Sequence, residues 1–278
     1  MKKFLCFLLI FLLCGCSSSK TVMTVDHYAI DSEIYRYYYR SMLDEYADEG
    51  TAKAEAVEQL RSHVAVIRFA EAYRVSLTQD ELDEIDAQFE SIKGRNDNYK
   101  QLLQEQHLTA DSYLTLCRHD ALREKLMTHL RQEAFAVNAE QMKAIVNDEF
   151  ICARHIFFDA SVDGAAQAAQ QASERLGQGA DFDALFTEYM GQDYSEEPYL
   201  FGKGYMVEEF DAAARALAVG QISGVVKTAY GYHIIQRLPL DDAYIAEHLA
   251  SITEEYVQTR ISLTMAQAAA EYEVVEIS

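Results

Sequence analysis

The sequence predicts an α+β fold in which a small sheet-containing unit interrupts a discontinuous helical domain. Three observations carry this. Apolar residues recur at helical spacing from Val25 to about Val146 and again from Asp241 onward. From Phe150 the texture changes to strands alternating with short helices over roughly ninety residues, the pattern of a compact α+β unit. Strand-like runs lie near both ends, at Val22 to Ile30 and at Val274 to Ile277. A single amphipathic helix after Pro239 cannot hold a core alone. It is therefore expected to return to the first helices, so that residues 25–146 are completed by 241–278 and residues 147–240 form an insertion. A chain of 278 residues, half of them apolar, is large enough for two cores.

At the start, Lys2 and Lys3 precede an apolar run from Phe4 to Cys14, then Gly15 and Cys16. The run is too short to span a bilayer and reads as a processing signal. Leu13-Cys14-Gly15-Cys16 resembles the bacterial lipobox. The resemblance implies cleavage of residues 1–15, lipidation of Cys16, and a polar tether over 16–24; a plain secretory signal is the alternative. Several acyl chains on one residue give stable anchoring, because each buried methylene contributes about 0.8 kcal/mol.

Asp31 or Ser32 can cap the first helix, which carries Tyr35, Tyr39, Met42 and Tyr46 on one face with Ile34 and Tyr38 beside them. This tyrosine-rich face is expected to be core, with a peptide groove as the alternative. Val57, Leu60, Val64 and Ile67 mark the buried side of the next helix. Thr78 and Glu81 form a capping box ahead of Leu82, Ile85, Phe89 and Ile92, and Lys93 to Asn96 reads as a stop. Thr109 or Asp111 caps a further helix with Tyr113, Leu116, Leu122, Leu126 and Leu130.

In the inserted part, Ile151 to Phe158 reads as a strand, Gly164 to Leu176 and Phe182 to Tyr189 as helices, and Gly191 to Tyr205 as a Gly- and Tyr-containing connection. A helix near Glu208 to Ala218, a turn at Gly220 and a strand from Tyr232 to Leu238 follow. The last helix places Ile245, Leu249, Ile252, Tyr256 and Leu263 on one face, and Val274 to Ile277 is expected to pair with Val22 to Val25.

Charge limits the partners. The formal charge is −21, and removal of residues 1–15, with two lysines and no acid, takes it to −23. So acidic a body does not suit nucleic acid or electrostatic attachment to an anionic lipid surface. Beyond Cys16 the processed chain has Cys117 and Cys152, too few for a disulfide framework. Cys117 and His119 are too close and isolated for zinc, and no metal or cofactor is expected.

The chemistry resides in three segments. Ala153-Arg154-His155-Ile156 is followed by Lys203-Gly204-Tyr205-Met206-Val207 with Phe210, and then by Gly220-Gln221-Ile222-Ser223 and Lys227-Thr228 with Gly231-Tyr232-His233-Ile234-Ile235. In order, spacing and residue type they resemble the parvulin peptidyl-prolyl isomerases. The helical flanks behind a lipobox resemble the PrsA-like and SurA-like extracytoplasmic foldases. Rotating an X-Pro bond means crossing a barrier of about 18–20 kcal/mol without breaking a bond. Met206 and Phe210, four apart, can wall an apolar slot for a pyrrolidine ring.

The resemblance implies a small antiparallel sheet with His155 and His233 at its centre, bonded with Thr228, and Asp193 as the acidic partner after the second short helix. It implies Met206, Phe210, Phe201 and Tyr230 as substrate-binding residues. The family's Gly-Gly-Asp-Leu-Gly is replaced here by Ser195 to Phe201. Phosphate-directed parvulins carry a basic cluster after the first strand; Phe157 to Asp163 has no cation to receive a phosphate. The expected partners are unfolded or newly secreted polypeptides with X-Pro bonds and a membrane reached through the lipid, with a homodimer left open beside the monomer. The alternative is a holdase whose parvulin part is weak or non-catalytic.

Overall fold

The computed structural model describes residues 20–95, 99–106, 108–191 and 198–277. The chain separates into two units, one running up to Phe135 and resuming at Ile261, the other Ala136–Arg260.

The first unit opens with a hairpin, β1 (Thr21–Val25) and β2 (Tyr28–Asp31). Its two-residue turn, Asp26 and His27, has positive φ at both positions, as a tight hairpin turn of the favoured hand requires. Neither residue is glycine, and Arg68 holds the turn by pairing with the Asp26 carboxylate at 2.7 Å and bonding its carbonyl. Asp31 caps α1 (Ser32–Glu45), its carboxylate accepting from the Glu33 and Ile34 amides at 2.8 and 3.0 Å. α2 (Glu49–Tyr73) buries Leu60, His63, Val64 and Ile67. α3 (Gln79–Arg95) starts at the Thr78–Glu81 box, with Thr78 N–H donating to Glu81 at 2.7 Å, and runs through Gly94. α4 (Tyr99–Glu105) and α5 (Ala110–His129) follow, α5 capped by Thr109 and continued by a π-turn, Leu130–Ala134. β7 (Val274–Glu276) pairs antiparallel with β1, Met23 opposite Glu276, giving the order β2-β1-β7. Met23, Val25, Ile30, Ile34, Leu60 and Val64 fill the space between this sheet and the helices.

Inside the same unit His63 and His119 stack face to face, with ring centroids 3.6 Å apart. The His119 Nε2–H donates to the His63 carbonyl at 3.0 Å, and the Tyr38 hydroxyl lies 3.1 Å from His63 Nδ1. The α1 face carrying Tyr35 and Tyr39 meets its expectation as core only in part: both rings are half-buried, and Tyr35 packs on the core cluster. Ile34 is the buried residue of α1, and the two tyrosines line an open hollow. The hairpin and α2 draw in the Ile34 side of the helix, which leaves the next row half-buried.

The second unit begins with α6 (Ala139–Glu149), closed at its start by a reciprocal Asn138–Gln141 capping box. β3 (Ile151–Asp159), α7 (Ala165–Gly177), α8 (Phe182–Met190), β4 (Tyr199–Phe201), α9 (Glu208–Ala216), β5 (Ile222–Lys227) and β6 (Gly231–Leu238) follow. α10 (Asp242–Ala270) belongs to this unit as far as Arg260. The sheet is antiparallel throughout, in the order β4-β3-β6-β5.

Alternation along β3 and β6 divides the sheet into two faces. Ile156, Phe158 and Ile234 pack on α7 and α8 through Ala169, Ala172, Phe182 and Leu185. Ile151, Ala153, Phe201 and Ile235 pack on Phe210 and Ala214 of α9. The sequence pattern marked β3 and β6 as strands but neither β4 nor β5. β5 contains Gly224, and its register shifts between Ile222 and Val225, which breaks the alternation. β4 has three residues, too few to show a period.

Candidate functional site

Two central strands bring the histidines together. His155 faces Ile235 across the β3–β6 ladder and His233 faces Phe157, so the imidazoles are diagonal neighbours on one face. Their Nδ1 atoms are 3.2 Å apart. A bond between two such nitrogens requires one to carry the proton and the other to be bare, which couples the tautomers. His233 Nε2 lies 2.9 Å from the hydroxyl of Thr228. The line Thr228, His233, His155 is thus a continuous hydrogen-bonded relay.

The β5–β6 turn aims Thr228 inward. The Thr228 amide donates to the Gly231 carbonyl at 2.8 Å, and the Tyr230 amide donates to the Thr228 hydroxyl at 3.2 Å. Gly231 sits at φ 155°, and a Cβ there would lie 2.2 Å from the carbonyl oxygen of Phe158. Only a residue without a side chain lets this turn close on β3. Thr228 and His233 are 5% and 6% exposed, so that end of the relay is shielded from water, while His155 is half-buried.

Burial sets the charge. His155 is pushed down to about 4, first by desolvation and then by the neighbouring imidazole. Desolvation also lowers His233. Both rings are therefore neutral near pH 7.

Aromatic rings surround them. Phe210 of α9 meets both imidazoles edge-on, at 5.2 and 5.4 Å. Phe201 is 6.0 Å from Phe210, and the half-buried Met206 packs on the same cluster. Phe157 lies 5.0 Å from His233, and Tyr199 5.4 Å from His155. At the edge of β3 beyond the reach of β4, the Phe157 amide donates to the sulfur of Met190 at 3.3 Å.

The structure thus gathers His155, His233, Thr228, Phe210, Phe201 and Met206 into one cluster. Tyr230 stands at the tip of the adjoining turn and is 67% exposed. Asp193 lies outside the described residues, as does Cys16. Phe157 and Tyr199 were not singled out in the sequence. Alternation could have found Phe157, two residues from His155 on the same face. Tyr199 carried no such mark, because its strand is too short. Cys152 points to the opposite face from His155, and burial raises its thiol pKa, so it stays a thiol.

This arrangement offers an apolar wall over a neutral, hydrogen-bonded floor. That suits holding a ring and altering its conformation more than bond cleavage. Comparison with known proteins agrees. The family model of the rotamase, or PPIC-type PPIase, domain matches residues 155–238, and that of the SurA-like N-terminal domain matches residues 1–127. The second unit therefore contains a parvulin-type peptidyl-prolyl isomerase domain. With both matches, the chain is similar to the PrsA-like parvulin foldases.

Foldase protein PrsA of Clostridium perfringens is 24% identical over 234 residues, covering 72% of this chain and 67% of that one. Foldase protein PrsA 4 of Bacillus cereus is 43% identical over 74 residues, 25% of this chain and 26% of that one. The crystal structure of a peptidylprolyl isomerase (PrsA) from Bacillus anthracis has a TM-score of 0.44 at 22% identity, covering 76% of this chain and 95% of that one. Among these curated relatives the matched length ranges from 26% to 67% of the relative.

Proposed function

We propose that the chain is a lipid-anchored foldase outside the cytoplasmic membrane that catalyses cis–trans isomerisation of X-Pro bonds in newly secreted, unfolded polypeptides. The observation that carries the catalytic part is the neutral relay Thr228–His233–His155 beneath Phe210. In this reading the proline ring enters the apolar slot of Met206, Phe210 and Phe201, with Phe157 and Tyr199 extending its walls. Removing water disfavours the charge-separated resonance form that keeps an amide planar, so the twisted amide is stabilised relative to the ground state. His155 and His233 hold their tautomers and the polarity of the floor, and neither gains or loses a proton during turnover. Tyr230 would border the bound chain, and Asp193 would adjust the field at the substrate carbonyl.

The test is isomerisation of a proline-containing peptide by the full chain. A rate well above the uncatalysed one, reduced in His233→Ala and in Met206→Ala, is expected. A wild-type rate at background, or one untouched by both substitutions, would sink the catalytic reading. The anchor at Cys16 is tested by intact mass of membrane-extracted protein, where an unmodified mass refutes lipidation. Among the described residues no helix is long and apolar enough to cross a membrane. A second role, holding unfolded chains on the helical unit, is favoured by the open tyrosine hollow of α1.

A further inference from the structure

The hollow on the helical unit has a cavity volume of about 460 Å³ and is lined by Val22 of β1 and by Tyr35, Arg36, Tyr39, Arg40 and Leu43 of α1. That volume lies within the range of small-ligand sites. Tyr35, Tyr39 and Leu43 follow one another at four-residue spacing, and Arg36 and Arg40 form the neighbouring row. The two tyrosine rings stack with centroids 5.9 Å apart and planes within 11°. They give a continuous, half-exposed apolar floor beside two exposed guanidinium groups.

The chain has 45 acidic residues against 24 lysines and arginines. Among the described residues, neither guanidinium has a carboxylate oxygen within 4.0 Å. Glu33 feels the charge of Arg36, but its carboxylate already accepts from Thr109 and Ser112. On the other side of the floor Lys53, close enough to act on both tyrosines, is held by Glu276 at 2.8 Å. The hollow sets two exposed guanidinium groups beside an aromatic floor on a strongly negative molecule.

We propose that it binds an extended client segment in which an acidic residue adjoins an aliphatic or aromatic one. The carboxylate bonds to Arg36 and Arg40, and the apolar side chain lies on Tyr35 and Tyr39. The proposal rests on the foldase reading and adds to it a sequence preference. The overall negative charge does not prevent it, since at physiological salt fields are screened beyond about 8 Å and contact chemistry decides. A flat anionic bilayer fits the charge but not the concavity, so a peptide is the occupant.

The probe is a fluorescent, proline-free decapeptide of alternating leucine and aspartate, with versions carrying asparagine or lysine in place of aspartate. Binding to the full chain is measured at about 0.15 M salt. The aspartate peptide should bind best. The double variant Arg36→Gln/Arg40→Gln should weaken it roughly three- to tenfold and abolish the preference over asparagine, as expected for two exposed charge-assisted contacts. Lys93→Gln, an exposed cation elsewhere in the unit, should change nothing. Equal binding of the aspartate and asparagine peptides overturns the proposal, and so does a preference that survives in the double variant. Loss of binding to phosphatidylglycerol vesicles in the double variant, with peptide binding intact, overturns it in favour of a lipid surface. Isomerisation of a proline peptide by the unaltered chain tests the foldase reading separately.

Discussion

Acidification from pH 7 to pH 5 should loosen the β3–β6 pair, because the buried imidazoles resist protonation that the unfolded chain accepts. His155 has a folded pKa of about 4 against 6.5 when unperturbed. Between those values the unfolded chain binds more protons than the folded one, so stability falls as pH falls. The contribution is fully present above about pH 6.5 and is lost progressively toward pH 4. At about 1.36 kcal/mol per unit, the whole window is worth about 3 kcal/mol, and about 2 kcal/mol of it is gone by pH 5. Solvent reaching the part-exposed ring of His155 makes these upper figures.

The assay is hydrogen exchange of the full chain read by mass spectrometry, corrected for the intrinsic pH dependence of exchange. Peptides from β3 and β6 should lose protection between pH 7 and 5. His155→Asn, which does not titrate, should lose less. Equal protection at the two pH values, or an undiminished slope in His155→Asn, would refute the reasoning. Segment-resolved measurement matters because the helical unit has its own buried pair. Desolvation lowers both His63 and His119, whose surroundings include Tyr37, Tyr38, Asp120 and Arg123. α2 and α5 should lose protection in the same direction, and a single melting curve would merge the two effects.

Other outcomes follow from the same geometry. Isomerase activity should be level from about pH 8 to 6 and decline toward pH 4, as His155 and its partner take up a proton; a rise on acidification would contradict neutral imidazoles. Gly231→Ala puts a methyl 2.2 Å from the Phe158 carbonyl and should cost more than about 2 kcal/mol in thermal unfolding, with activity falling alongside. Thr228→Val leaves buried His233 Nε2 without its partner and should cost about 1–3 kcal/mol, while Thr228→Ser should retain most of both stability and rate. Phe210→Ala should destabilise by about 3–5 kcal/mol, and the milder Phe210→Leu should keep the fold and raise KM more than it lowers kcat.

The residues differ in how far their roles could be read without coordinates. β3 and β6 were legible because each is a strand-length segment rich in apolar residues, and the capping box at Thr78 and Glu81 because its chemistry is local to four residues. β5 was hidden by Gly224 and a register shift, and β4 by its length. The two site histidines were conspicuous, while Tyr199, equally close to His155, was not. The stack of His63 on His119 joins residues 56 positions apart, and nothing in either segment announces it.

By itself, the sequence determined the kind of fold, the helix periods with their caps, and the motif that places His155, Thr228, His233, Met206 and Phe210 in one family of sites. These are local or ordered patterns, and periodicity, turn chemistry and spacing are written along the chain. Tertiary structure alone decided that the imidazoles meet through their Nδ1 atoms and are held neutral, and that Phe157 and Tyr199 join the wall. It also decided that Tyr35 and Tyr39 line an open hollow. Such properties depend on which faces pack and how much water remains, and the sum of contacts across the fold settles both.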